Sequence, residues 1–459
     1  MKKMWKKILG ITLTMVLCVG LLAGCGSSSS SSDDADADET ASSDTETVTT
    51  ETHKIVVYTL KASGSIVESV EAFLDSICDE LNFTYEVRFA GDDAATLLSN
   101  VEAAIAEGFE GIISMTDKGN NAAILELCEE NGVYFGGTWS NQSSSLNSSD
   151  AGYDILMSEY YVGAIADGRD DYEYEIEEYA AAIAAKYEEL DDDEKEGSIG
   201  ITTNPSKWTP GQQIAAENLY QVLTTEYGIP ESAFATETLE KRTEDETYSG
   251  TTLEAGTWSW CQVDTSSMAL PTSYFQSNPN LKLIASFASI TYIEPALQTA
   301  DLHGEVYVWT CGYESEDYLL YNFGSDGDMT YQGFRTAPIE DVAYPLVQIL
   351  DALNGYSYSD KDETVSELVA AIEDGDTSAK YTLKSYLIPY SSSIIIVNDE
   401  QFEAFSTGYV YGTADGADSI VTAEDLMNLM VTYNPDATYA DLVAFFDETG
   451  SLTADALTD

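Results

Sequence analysis

The chain has 459 residues with 81 acidic and 19 basic side chains, a net charge of −62. A field of that sign repels nucleic acid and anionic lipid headgroups, so polyphosphate backbones are excluded as partners. Hydrophobic residues make up 44%, enough for two or three domains, while two histidines leave little for Ser-His-Asp or Cys-His catalysis.

The chain opens with "MKKMWKK" and runs apolar from Ile8 to Ala23. A basic start, a short apolar stretch and small residues at Gly24 and Cys25 read as an export signal over 1–24, too short for a membrane span. The tetrad Leu22-Ala23-Gly24-Cys25 resembles the bacterial lipobox, which implies lipidation of Cys25. Residues 25–53, rich in Ser, Asp, Thr and Glu, lack hydrophobic periodicity and read as a disordered tether reaching on the order of 30 Å. The lipobox resemblance implies a lipid anchor on the extracytoplasmic face of a cell membrane.

From His53 the chain turns regular. "KIVVYTL" (54–60), "TYEVRFA" (84–90), "GIISMT" (111–116) and "VYFGGT" (133–138) read as strands. Between them "GSIVESVEAFLDSICDEL" (64–81), "DAATLLSNVEAAIAEG" (93–108) and "NAAILELCEENG" (121–132) carry helical periodicity. The alternation predicts a parallel, doubly wound sheet. It restarts after a tyrosine-rich helix (171–190). Strands follow at 197–203, 257–264, 281–289, 305–312 and 393–398, and helices at 211–228, within 268–279, at 291–304 and at 338–355. The expected fold class is α/β, with two such lobes. With strand order 2-1-3-4 in the first, Cys78 and Cys128 lie on opposite faces and cannot pair. Cys261 and Cys311 complete the non-anchor cysteines of the body, and no spacing suits zinc.

His53, where the tether meets the first strand, and His303, in a turn, read as surface residues. The first strand leads into "KASGSIV" without a dinucleotide fingerprint. "GTADGADSIVTAEDL" (412–426) departs from a calcium loop at its fifth and sixth positions. No catalytic, metal or cofactor site is therefore expected, and the chain is not expected to be an enzyme.

The segment "DAATLLSNVEAAIAEGFEGIISMTDKGNNAAILELCEENGVYFGGTWSN" (93–141) resembles the first lobe of type I periplasmic binding proteins, the ribose- and galactose-type sugar receptors of ABC importers. The likeness continues through "GSIGITTNPSKWTPGQQIAAENLYQVL", "NPNLKLIASFASITYIEPALQTA", "EVYVWTCGYES" and "APIEDVAYPLVQILDALNG". It implies two hinged lobes joined by three crossovers and, with the lipobox and tether, a Gram-positive source. Lobe 1 takes 54–162 and 336–388, lobe 2 takes 163–335 and 389–400, and 401–459 is an acidic, partly helical extension. Ligands in such folds lie at the C-terminal ends of strands. The matching positions here are Lys61, Ser63, Asp92, Thr116, Asp117, Lys118, Trp139, Ser140 and Asn141 in the first lobe. In the second they are Asn204, Lys207, Trp208, Ser289, Tyr292, Cys311 and Tyr313, with Arg335 near a crossover. The chain departs from the sugar receptors at Trp139-Ser140, where they carry Asp-Arg, and at Ser289-Ile290, where they carry Asn-Asp. Trp139, Trp208 and Trp309 offer faces for stacking on a sugar or for packing. The function implied is capture of a small polar solute, a carbohydrate, by a monomeric lipoprotein serving an ABC permease. The alternatives are a sensor for a membrane kinase, or a binder of a nucleoside or sugar acid.

Overall fold

The computed structural model describes residues 51–139, 156–167, 173–207, 209–248, 251–267, 269–302, 304–311, 331–391, 393–398, 400–402, 405 and 421–447. The leader, the tether and Cys25 lie outside them. Among these residues no helix is long and apolar enough to cross a membrane.

The first sheet begins with β1 (His53–Thr59), β2 (Phe83–Phe89), β3 (Gly111–Ser114), β4 (Tyr134–Trp139) and β5 (Tyr161–Asp167). With β13 (Tyr390–Ser391) it runs in the order β13-β5-β4-β3-β1-β2, every pair parallel. Its strands are apolar on both sides because both faces are covered. Ile55 and Val57 face one core while Val56 and Tyr58 face the other. Helix α1 (Ser65–Ile77) presents Ile66, Val70, Phe73, Leu74 and Ile77 at three- and four-residue steps to the first of these cores. Helices α2 (Ala94–Ala106) and α3 (Asn121–Asn131) bury Leu97, Val101, Ile124 and Cys128 in the second.

The second sheet repeats the plan. After α4 (Glu173–Glu189) come β6 (Ile199–Thr203), α5 (Pro210–Thr225) and a hairpin of β7 (Glu246–Tyr248) and β8 (Thr251–Leu253). Then follow β9 (Cys261–Gln262), α6 (Thr272–Ser277), β10 (Leu283–Ser289), α7 (Ile290–Ala300), β11 (Tyr307–Cys311) and β12 (Tyr331–Thr336). The order is β14-β12-β11-β10-β6-β9, with β14 (Ile394–Ile396) antiparallel at the edge. Helices α4 and α5 cover one face, α6 and α7 the other.

Three connectors join the sheets: 168–172 after β5, Ala337–Pro338 after β12, and 392–393 between β13 and β14. All leave from C-terminal strand ends. Asp341 Oδ2 accepts a hydrogen bond of 2.8 Å from Ser391 Oγ, tying the second connector to the third. The second leads into α8 (Ala343–Leu353), which lies against β3, β4 and β5. That approach needs glycine in the sheet. A Cβ on Gly136 would fall 2.6 Å from Pro345 Cβ, and one on Gly111 2.5 Å from Ile349 Cγ2.

Four expectations are corrected. The lobe boundaries at 162/163 and 388/389 fall too early, because β5 pairs in the first sheet through Asp167 and β13 through Ser391. Gly163, at φ +111°, interrupts β5 with a register shift and hides its strand pattern. The strand expected over 257–264 shrinks to Cys261–Gln262. The acidic extension is no appendix over its described part. Helices α11 (Ala423–Leu429) and α12 (Tyr439–Asp447) bury Leu426, Met430, Tyr439, Leu442 and Phe446 in the core shared with α1 and α8. Helix α12 also meets α9 (Ser359–Glu373) and β13, while α11 meets α8 and α10 (Ser378–Leu387) packs beside α9 and β5. His53, finally, is buried. Its Nδ1 lies 3.3 Å from Glu110 Oε2 and its Nε2 3.3 Å from Asn354 Oδ1, so the polar edges of the ring are used inward. His303 falls outside the described residues. Cys78, Cys128 and Cys261 are free thiols, with Cys78 in contact with the core that α1 enters and Cys128 in the opposite one.

Candidate functional site

In each sheet the strand order reverses beside the first strand of the lobe, between β1 and β3 and between β6 and β10. The loops after these strands diverge to opposite faces and open a crevice at the C-terminal rim. The connectors between the sheets follow C-terminal strand ends as well, at Asp167, Thr336 and Ser391.

A shared device bends the chain near the rim in β1, β3, β6 and β10. Thr59 Oγ1 donates to Lys61 O at 2.8 Å, and Ser114 Oγ to Thr116 O at 2.8 Å. In the second sheet Thr203 Oγ1 donates to Asn204 O at 2.9 Å and Ser286 Oγ to Ala288 O at 3.2 Å. A short hydroxyl bonding its own backbone replaces the missing ladder partner.

Beyond these turns lie the sequence-derived candidates. Lys61 and Ser63 stand exposed after β1, and Asp92 is exposed after β2. Its neighbour Asp93 instead caps α2, accepting from Thr96 N at 2.8 Å, and that bond holds its carboxyl below the usual carboxylate range. Asp117 and Lys118 are half-buried after β3, and Asp117 Oδ1 accepts from Gly119 N at 2.7 Å. Asn204 is half-buried and Lys207 exposed after β6, with Asn204 N donating to Gln212 Oε1 at 3.0 Å. Ser289 ends β10, and half-buried Tyr292 lies in the first turn of α7, against the core. Trp139 ends β4, Cys311 ends β11, and Arg335 is paired within β12 beside Cys311 and Ile395. Ser140, Asn141, Trp208 and Tyr313 lie outside the described residues. Trp309 is core: it is 1% exposed and packs where a Cβ on Gly333 would sit, so it stacks on no solute.

Sequence reasoning passed over three further polar groups. Asn120 Oδ1 in the loop after β3, Thr138 Oγ1 at the end of β4 and Thr209 Oγ1 at the start of α5 are buried without a hydrogen-bond partner among the described residues. Asn204 Oδ1 shares that condition. Asn120 Nδ2 donates to Ala94 O at 2.7 Å, which fixes its oxygen on the other side. Buried polar atoms are nearly always satisfied; these four oxygens lie near C-terminal strand ends, while Tyr161 Oη, Trp258 Nε1 and Trp309 Nε1 share the condition away from them among the described residues. Each of the four is on a small polar residue within a few positions of a strand end, the signal that selected Asn204 and the one by which the others were open to discovery.

No protein-family model matches the sequence, and no curated protein does. Among solved structures, a periplasmic sugar-binding protein from Pseudomonas fluorescens is similar at 12% identity, covering 85% of this chain and 99% of its own, with a TM-score of 0.49. An ABC transporter periplasmic solute binding protein from Actinobacillus succinogenes 130z, with bound D-allose, matches at 13% identity over 76% of this chain and 99% of its own, TM-score 0.46. An ABC sugar transporter subunit from Rhodobacter sphaeroides 2.4.1 matches at 10% identity over 75% and 98%, TM-score 0.41. At such identities and TM-scores these likenesses do not bear on what this chain binds.

Proposed function

We propose that the chain is an extracytoplasmic solute-binding lipoprotein. It closes its two lobes on a small hydroxyl-bearing solute, a carbohydrate, and delivers it unchanged to an ABC importer. The observation that carries this reading is a group of buried oxygens without partners among the described residues, Asn120 Oδ1, Thr138 Oγ1, Asn204 Oδ1 and Thr209 Oγ1, near C-terminal strand ends of both sheets. Amide oxygens accept, and threonine hydroxyls accept or donate, so the guest they suit carries several hydroxyl groups. Leaving such oxygens unpaired costs about 1–3 kcal/mol each, which bound hydroxyls would relieve. Lys61, Ser63, Asp92, Asp117, Lys118 and Trp139 in the first lobe, with Asn204, Lys207, Ser289, Tyr292 and Arg335 in the second, are the proposed lining. Asn141, Trp208 and Tyr313 belong to the same set by sequence position. Binding requires no turnover, and the lipobox cysteine Cys25 would hold the receptor beside its transporter.

The test is thermal unfolding against hexoses, pentoses, uronic acids and nucleosides. At one hundred times its dissociation constant a true ligand stabilises the protein by about 2.7 kcal/mol. Stabilisation by no sugar, or conversion of a bound sugar, overturns the reading. For the anchor, Cys25→Ser should release the protein into the medium; retention on cells would remove the lipoprotein part alone.

A further inference from the structure

We infer that Arg242, remote in sequence and buried beside α5, is a positioning residue of the second rim. It acts through Gln213 and Thr203 on the backbone turn that carries Asn204, and its functional meaning rests on the reading of that rim as a ligand surface. Arg242 is 7% exposed, and its guanidinium donates to Trp258 O, to Thr257 Oγ1 at 3.1 Å and to Gln213 Oε1 at 2.7 Å. Its Nε reaches Glu246 Oε2 in the β7–β8 hairpin at 3.4 Å. A guanidinium only donates, so the amide of buried Gln213 must turn its oxygen toward Arg242. Trp260 N donates to the same oxygen at 3.2 Å and reinforces that orientation.

With the oxygen committed, Gln213 Nε2 points to Thr203 Oγ1 and donates to it. Thr203 Oγ1 thereby accepts from Gln213, and its own proton goes to Asn204 O. The next residues are pinned by two more glutamines: Asn204 N donates to Gln212 Oε1 at 3.0 Å and Ser206 N to Gln262 Oε1 at 2.9 Å. One buried cation thus sets the polarity of a chain of hydrogen bonds that ends at the rim. The side-chain oxygen of Asn204 is left over, buried and without a described partner. Arg242 touches no solute in this arrangement.

Gln213→Glu separates this role from a merely structural one. The glutamate still accepts from Arg242 and from Trp260 N, but it has no proton for Thr203, whose hydroxyl is then drawn away from Asn204 O. Amide hydrogen exchange on the ligand-free protein should show at least a tenfold acceleration at Asn204 and Ser206. Exchange in β10 should stay as in the unaltered protein. Thr203→Val, which cuts the same chain without touching Arg242, should give the same local pattern and stands in if Gln213→Glu does not fold. Unchanged rim exchange, or acceleration spread evenly over the sheet in the variants that fold, overturns the inference. Neither outcome depends on whether a sugar binds, so failure here is distinct from failure of the ligand screen.

Discussion

The two sheets share a strand order yet are secured at opposite edges. In the first, β2 pairs with β1 over seven residues, and the far edge at β13 is covered by α12. In the second, the strand equivalent to β2 is β9, only two residues long. The irregular chain around it is held instead by Arg242, Gln213 and Glu217, which accepts from Trp258 N at 3.1 Å and Trp260 Nε1 at 3.2 Å. Sheet edges are exposed ladders that must be blunted or covered. The topology therefore repeats while the means of stabilising it does not, and each means is open to a separate break.

The largest effect is expected at the C-terminal arm. Asp351 accepts from Val431 N, Thr432 N and Thr432 Oγ1, and Asp360 from Tyr439 N and Ala440 N, so two carboxylates hold the arm by its backbone. Fully buried Tyr439 packs on Tyr344, Tyr358 and Tyr386 and donates to Tyr386 O at 2.7 Å. Tyr439→Ala should cost about 3–5 kcal/mol, as for other large-to-small core changes, read as a lower urea midpoint at unchanged slope. A loss below 1 kcal/mol would show the arm to be an ornament on the first sheet.

Arg242→Met comes next, at about 2–3 kcal/mol, because buried acceptors lose a charged donor. The two sites share no partner, so the Tyr439→Ala and Arg242→Met losses should add to within about 0.5 kcal/mol. A larger coupling would mean that the edges are not separate devices.

Strand glycines make a smaller contrast. At Gly136 a Cβ meets Pro345 Cβ at 2.6 Å and Val162 Cγ2 at 2.8 Å, both on rigid residues. At Gly200 it meets Leu281 Cδ2 at 2.9 Å and Tyr274 Oη at 3.1 Å, the far ends of longer side chains. Gly136→Ala should cost about 1–3 kcal/mol by overpacking and Gly200→Ala about 1 kcal/mol or less. The reverse order would mean that α8 yields more readily than α6.

The same contrast explains what the sequence disclosed. Strands such as "KIVVYTL" and "LKLIASFAS" are continuous apolar runs with helical periods between them, so the doubly wound pattern is legible in both lobes. Edges are not. "TWSWCQVD" has the composition of a strand, but Trp258 and Trp260 are engaged with Glu217, a tertiary choice that periodicity does not encode. Helices α9 and α10 passed unread because α9 buries no residue fully and both precede the crossover strand. At the rims, Lys61, Asp117 and Asn204 are positions that the family resemblance places at strand ends. The partnerless oxygens of Asn120, Thr138 and Thr209 depended on which atoms the fold closes off from water.

The smallest effect is electrostatic, and it too separates the sheets. Cys128 in the first and Cys261 in the second are pushed up to about 12 by burial. An unfolded thiol titrates near 8.5, so above that pH the unfolded state sheds protons that the folded state keeps, and stability falls until about pH 12. Lys361 works the other way and only in the first sheet. Half-buried, with Nζ donating to Val162 O at 2.6 Å and Gln348 Oε1 at 2.7 Å, it is pulled down to about 8 by desolvation, against nearby Asp362 and Asp360. Unfolded lysine holds its proton to about pH 10.4, so between pH 8 and that value the unfolded state binds more protons and this group adds stability as pH rises. The thiols outnumber it, and the protein should lose stability above pH 8.5. Lys361→Met removes the opposing term, so the variant should lose about 1 kcal/mol more than the unaltered protein between pH 8 and 9.5, measured by urea unfolding. Parallel pH profiles would place the Lys361 ammonium in water.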